Sequence, residues 1–289
     1  MTDSKKWKSA VFPSWENMTV KEIREYLKEK TSVIIPIGVI EQHGYHLPLA
    51  TDAIRATEMA RLIGTETEIL VAPTVTQSFS GGSCPGTINI TPTTMSLVIS
   101  DMLISMRNQG FNKFYLFIAH GGSENMNALN NALKDLLRTI PAFEHTMIVL
   151  LPAAKLDIDN VSRMKARQDG DWHAGWHETS EMMYLMPSLV RMNELETDSE
   201  ELVRLMTGDP DNYQISEKIV NDDLVIPRNR QRDDIKIGVM GFPNRASSEL
   251  GKKIIESTVK GACIKIKCLE EKYDRACKFH NKRNMNENY

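Results

Sequence analysis

Cysteine is scarce in this chain, with four in 289 residues, and Cys84 stands far from Cys263, Cys268 and Cys277 with no CxxC pair among them. That spacing argues against metal or redox use and reads the last three as buried or incidental thiols of a carboxy-terminal helix. Long apolar runs are also lacking: Ser32 to Ile40 and Met147 to Leu151 are far too short to cross a bilayer. The opening MTDSKKWKSA has lysines but no apolar segment behind them, because Val11 and Phe12 meet Pro13 at once, so it does not resemble a secretory leader. The expectation is a soluble, cytoplasmic protein with no membrane partner. Charge of one sign is missing too. Thirty-five Lys and Arg against 38 Asp and Glu give −3, which supplies no broad basic field for a nucleic acid. No GxGxxG follows the first predicted strand and no GxSxG elbow occurs, since GSCPG at Gly82 to Gly86 is not one. A dinucleotide-dependent dehydrogenase and a serine hydrolase are therefore poor fits.

Hydrophobic residues at 41% and charged residues at 25% suit a globular chain with a substantial core. After a Thr19 cap, Val20, Ile23 and Leu27 mark a first helix. Ser32 to Gly38, Phe114 to Ala119 and Met147 to Pro152 are continuously apolar, in the manner of parallel strands covered on both faces, and Glu68 to Pro73 is a further strand. Helical spacing occupies Asp52 to Leu62, Pro92 to Gln109, Asn125 to Thr139, Glu178 to Leu185, Leu195 to Leu205 and Ala246 to Leu269. Strands alternating with helices predict an α/β fold with a mainly parallel central sheet. Residues 1–289 read as a single domain without internal repeats, with a surface excursion over 209–234, near the site or at a subunit boundary, and a frayed polar tail at KRNMNENY. In such folds ligands collect beyond the carboxyl ends of the strands.

Three segments carry chemistry. EQHGYHLPLATD places Glu41, His43, His46 and Asp52 just beyond the first strand, and carboxylates with neutral imidazoles suit zinc, manganese or iron. AHGGSEN puts His120 directly after the strand FYLFI, with Gly121 and Gly122 permitting close ligand approach and Glu124 either a ligand or a helix-start carboxylate. DWHAGWHETS offers His173 for proton transfer and Glu178 as a ligand, with Asp171 and His177 in reserve to orient neighbours. Trp172 and Trp176 are pocket or core residues.

Together these segments resemble the creatininase, or creatinine amidohydrolase-like, family. The pattern Glu-x-His-Gly-x-His-Leu-Pro with its downstream Asp, HGG after a later strand, and His-Ala-Gly-x-x-Glu-Thr-Ser carry the resemblance, and GTINI and GVMGFPNRASSELGKK look like family segments. The resemblance implies a three-layer α/β/α sandwich, two divalent metal ions per subunit, and a homo-oligomer, often a hexamer. It implies that Glu41, Asp52 and His120 hold one metal, that His43, a bridging Asp52 and Glu178 hold the other, and that His173 shuttles protons. HGGSEN departs from the usual HGGN, so Glu124 competes with Glu178 for the second metal or acts in catalysis. The metals are zinc or manganese, with iron acceptable to the same donors. The implied reaction is hydrolysis of a small cyclic amide or formamide, assisted by backbone donors near Gly81 and Gly82 or Gly121 and Gly122. One alternative is ring-opening carbon–carbon hydrolysis of a cyclic polyol ketone such as an inosose, to which polar Gln77, Ser78, Ser80 and Ser83 are suited. Another is a noncatalytic metal- or metabolite-binding assembly protein.

Overall fold

A computed structural model describes residues 14–159 and 163–286. The amino-terminal leader reading falls outside them. Helix α1 (Val20–Glu29) starts at a capping box, in which the Thr19 side chain accepts from the Glu22 amide while Glu22 accepts from the Thr19 amide. Strand β1 (Ser32–Ile37) follows, then α2 (Thr51–Thr67), β2 (Leu70–Val71), α3 (Pro92–Gln109), β3 (Lys113–Ile118), α4 (Ser123–Thr139) and β4 (Met147–Pro152). Short α5 (Arg163–Gln168) leads to α6 (Trp176–Leu185), α7 (Glu200–Gly208), the hairpin β5 (Gln214–Glu217) and β6 (Arg228–Gln231), and the long α8 (Ser248–Asn286).

The main sheet runs β2-β1-β3-β4, and every pair is parallel. Alternation along the strands builds two apolar layers. Val33, Ile35, Ile37, Phe114 and Leu116 pack on Ile99 and Leu103 of α3 and Leu129 and Leu133 of α4. Ile34, Tyr115 and Phe117 face the other way, onto Met59 and Ile63 of α2 and Ile255, Ala262 and Ile266 of α8. The result is an α/β/α sandwich around a parallel sheet. Both faces of β1 and β3 are buried, which is why their sequences read as unbroken apolar runs. From β1 the chain turns to β2 on one side, and from β3 it turns to β4 on the other. The carboxyl ends of β1 and β3 therefore flank a switch point of the sheet, where a crevice opens.

Three sequence expectations are corrected. Strand β2 is only two residues long, shorter than the predicted segment. The helix predicted from Leu195 begins instead at Glu200, capped by the Ser199 side chain accepting from the Leu202 amide. Upstream, the Asp198 carboxylate accepts from the amides of Lys236, Ile237 and Gly238 and holds that stretch out of a helix. The last helix extends beyond the predicted Ala246 to Leu269 and runs from Ser248 through Asn286, into the tail read as frayed, because no Gly or Pro follows Gly261. Cys263 is buried, and Cys268 and Cys277 are partly buried on α8. No helix among the described residues is long and apolar enough to cross a membrane.

Candidate metal centre

The loop leaving β1 carries Glu41 and His43, and the first turn of α2 carries Asp52. These elements are held close by Gly38, where a Cβ would lie 2.6 Å from the Ala53 backbone. His120 follows β3, and Glu178 sits in the first turn of α6. Sequence-distant donors thereby meet in three groups: Glu41, Asp52 and His120; His43, Asp52 and Glu178; and Glu41, His43 and His173. In each group the donor atoms lie within 4.8 Å of one another.

His120 Nδ1 is 3.2 Å from Glu41 Oε1 and 3.1 Å from Asp52 Oδ2. His43 Nε2 is 3.5 Å from Glu178 Oε2 and 4.0 Å from Asp52 Oδ1. The two oxygens of Asp52 thus face different histidines, as a bridging carboxylate requires. Each histidine is also held from behind. His120 Nε2 donates to the Phe79 carbonyl at 3.0 Å, and His43 Nδ1 donates to the Glu41 carbonyl at 3.1 Å. A carbonyl only accepts, so each ring carries a proton on the outer nitrogen and turns its inner nitrogen toward the carboxylates. His43 Nε2 is buried and makes no hydrogen bond. Unless the ring takes up a second proton, that buried nitrogen has no stabilising partner in the polypeptide, and a cation in the proton's place supplies one.

Burial opposes the charge of His43, but Glu178, Asp52 and Glu41 outweigh it and push the pKa up to about 9. His120 is raised well above its usual value against the same burial penalty, by Glu41 and Asp52. For Glu41, burial favours the neutral acid, yet His120, His173 and His43 pull its pKa far down. Protons are thus drawn to places where divalent cations would offset the same negative charge.

Arg55 is the functional residue that motif reading misses. It is fully buried, and its Nη1 donates to Asp52 Oδ1 at 2.8 Å and to Glu178 Oε1 at 2.7 Å, while Nε pairs with Glu181. The available signal was the i, i+3 spacing of Asp52 and Arg55 on one helix. Three carboxylates, of Asp52, Glu178 and Glu181, share this single guanidinium, so negative charge remains for metal ions to neutralise.

His173 stands beside the cluster, its ring centroid 4.3 Å from that of His43. Its Nε2 lies 2.6 Å from the Gln42 carbonyl and 3.1 Å from Gln42 Nε2, and Nδ1 is 3.8 Å from Glu41 Oε1. The shorter contact is to a carbonyl, and Gln42 Nε2 has a second acceptor in the Gly238 carbonyl. The proton therefore sits on Nε2, and the Nδ1 lone pair faces the carboxylates.

Other candidates fall elsewhere. Glu124 is exposed in the first turn of α4; it lines the cavity but belongs to none of the three donor groups. His46 is buried outside them, with Nε2 3.0 Å from Thr179 Oγ1, and burial lowers its pKa to about 4. The Asp171 carboxylate accepts from the amides of Trp176, His177 and Phe242, which caps α6. Trp172 lines the cavity, with its indole N–H bonded to the Thr207 carbonyl, whereas Trp176 packs in the core with Ala166 and Ile254. The amides of Gly81 and Gly82 are engaged by Asn89 Oδ1 and Ser80 Oγ, so they are not free oxyanion donors. Of the polar loop residues, Ser80 lines the cavity, while Ser78 is buried and does not. The cavity measures about 330 Å³.

A family model described as Creatininase, creatinine amidohydrolase, matches residues 16–266. The chain belongs to the creatininase family. Within it, the 3-dehydro-scyllo-inosose hydrolase of Thermotoga maritima is 30% identical over 37% of this chain, and the match spans only 35% of that enzyme's length. The mycofactocin precursor peptide peptidase of Mycolicibacterium smegmatis is 27% identical over 81% of this chain and 84% of its own. A crystal structure of creatinine amidohydrolase superposes with a TM-score of 0.68, covering 89% of this chain and 97% of the other at 19% identity, a likeness of fold. The creatininase-family assignment and the donor clusters together support a metal-dependent hydrolase.

Proposed function

We propose that this protein hydrolyses a small cyclic amide or formamide at a two-metal centre. One observation carries the reading: Asp52 joins two donor groups whose histidines are both fixed in the metal-binding tautomer. Glu41, Asp52 and His120 would hold one cation, and His43, Asp52 and Glu178 the other. When bound, two divalent ions lower the pKa of a bound water and polarise a substrate carbonyl. Zinc and manganese suit the mixed oxygen and nitrogen donors best, with iron also acceptable.

The chain's own residues supply the remaining work. Gln42 holds His173 through its backbone carbonyl, so the ring meets the substrate with Nδ1. That nitrogen takes up a proton as the carbonyl is attacked and returns it to the departing nitrogen, which leaves as an amine. Arg55 keeps Asp52 and Glu178 in place by binding the oxygens of both. Glu178, rather than Glu124, completes the second donor group, and Glu124 serves the cavity wall. The assembly is a homo-oligomer, in keeping with the family.

A second reading, ring-opening carbon–carbon hydrolysis of an inosose-like ketone, is favoured by the 30% identity to the inosose hydrolase. Product-resolved mass spectrometry of the metal-loaded protein with cyclic-amide, formamide and inosose panels separates the two. The expected result is either a ring-opened amino acid, one water heavier than its cyclic-amide substrate, or formate and an amine from a formamide. A ring-opened acid formed from the inosose panel and not from the amide panels supports the ketone reading, and metal binding without turnover of any panel supports a noncatalytic role.

A further inference from the structure

The floor of the cavity comes from the ends of β1 and β3 and the starts of α2 and α6, but its opposite wall is different. Met206, Asp211, Tyr213, Gln231, Ile235 and Met240 line that wall; Asp211, Tyr213 and Gln231 belong to the excursion and the other three flank it. The excursion is pinned to the rim at both of its ends. A Cβ at Gly81, which has φ +84°, would collide with the Tyr213 hydroxyl, so only glycine lets this ring settle there. At the other end the Gln231 side chain accepts from the Ser83 amide and donates to Cys84 Sγ at 3.3 Å. The Arg232 amide donates to the Tyr213 carbonyl at 3.0 Å and ties the two ends together.

Tyr213 is partly buried, yet its hydroxyl makes no hydrogen bond to a described residue, although it lines a polar cavity. Burial, then Glu124, Asp211 and Glu41, push the phenol up to about 12, so it stays neutral. Among the described residues no lysine or arginine lines the cavity, whereas Glu124 and Asp211 do. An anionic group remote from the metals would therefore find carboxylates and no counter-ion.

We propose that Tyr213 is a specificity-determining residue that contacts the part of the substrate remote from the scissile bond and restricts the site to compact amides whose remote end is neutral or cationic. This rests on the amide-hydrolase reading of the floor. The wall is set by the excursion, so it is separable from the metal-binding residues.

The test uses the full-length, metal-loaded protein and a ladder of amides of increasing size, each in neutral, cationic and anionic form. Both kcat/KM and calorimetric Kd are read for wild type, Tyr213→Ala, Tyr213→Phe and Gly81→Ala. In the wild type, compact neutral and cationic members should bind at least about tenfold tighter than anionic ones. Tyr213→Ala should shift preference toward the larger members by about tenfold with metal content unchanged, and Gly81→Ala, which displaces the same ring, should shift it likewise. Tyr213→Phe should weaken binding while keeping the size limit. Size and charge ratios unmoved in Tyr213→Ala, or a wild type that binds no member selectively, overturn the proposal. A wild type that shows the selective binding but cleaves nothing rejects the amide reading and retains the wall.

Discussion

At the scale of single residues, the centre separates groups that hold cations from one that moves a proton. His173→Ala should keep its metal and lose turnover by about 10²- to 10⁴-fold, the usual contribution of a positioned acid–base group. Metal analysis beside steady-state kinetics checks this, and parallel loss of metal would move His173 into the ligand set that its grouping with Glu41 and His43 also allows. His46 makes a different prediction. Burial, then the neighbouring His43, hold its pKa at about 4 against an ordinary 6.5, so it is neutral when folded. The unfolded chain takes up this proton first as pH falls, so stability is complete above 6.5 and is lost on going down toward 4. Urea unfolding across that window with chelator present should show the loss in wild type and less of it in His46→Gln. Arg55 is the third case: replacing it with methionine leaves three carboxylates with less compensation and should cost about 3–5 kcal/mol in the metal-free protein, read by the same unfolding method.

At the scale of elements, the site depends on how closely α2 approaches the end of β1. Gly38→Ala places a methyl 2.6 Å from the Ala53 backbone, which must shift the first turn of α2 and Asp52 with it. We expect weaker binding of both cations with the sheet intact, measured by competition with a chromogenic chelator. The apolar strands and the donors just beyond them were legible in the sequence because burial on both faces imposes continuous Val, Ile, Leu and Phe, and the donors follow at once. Arg55 was not, because a buried cation on an amphipathic helix looks like a surface residue until its partners from α6 are in view. The start of α7 was also hidden, since Asp198 is spent on amides 38 to 40 residues away, a contact no local pattern reveals. The sequence placed the excursion near the site or at a subunit boundary, but not the contact that seats it on the cavity, which depends on Tyr213 meeting a residue without a side chain.

At the scale of the whole molecule, the metals and the fold are linked. The donors come from the loops after β1 and β3 and from α2 and α6, segments far apart in sequence, so cations that bind only the folded chain should stabilise all of it. At a hundredfold excess over Kd, one site contributes about 2.7 kcal/mol, and zinc or manganese should raise Tm by several degrees, reversed by chelation. The central claim is that five side chains make a two-metal centre. The most direct test is metal stoichiometry, by native mass spectrometry and elemental analysis, of wild type and His120→Ala at matched free metal. The account predicts two divalent ions per chain in wild type, with at least one lost, along with activity, in His120→Ala. One or no ion in wild type, or two retained in a fully active His120→Ala, would contradict it.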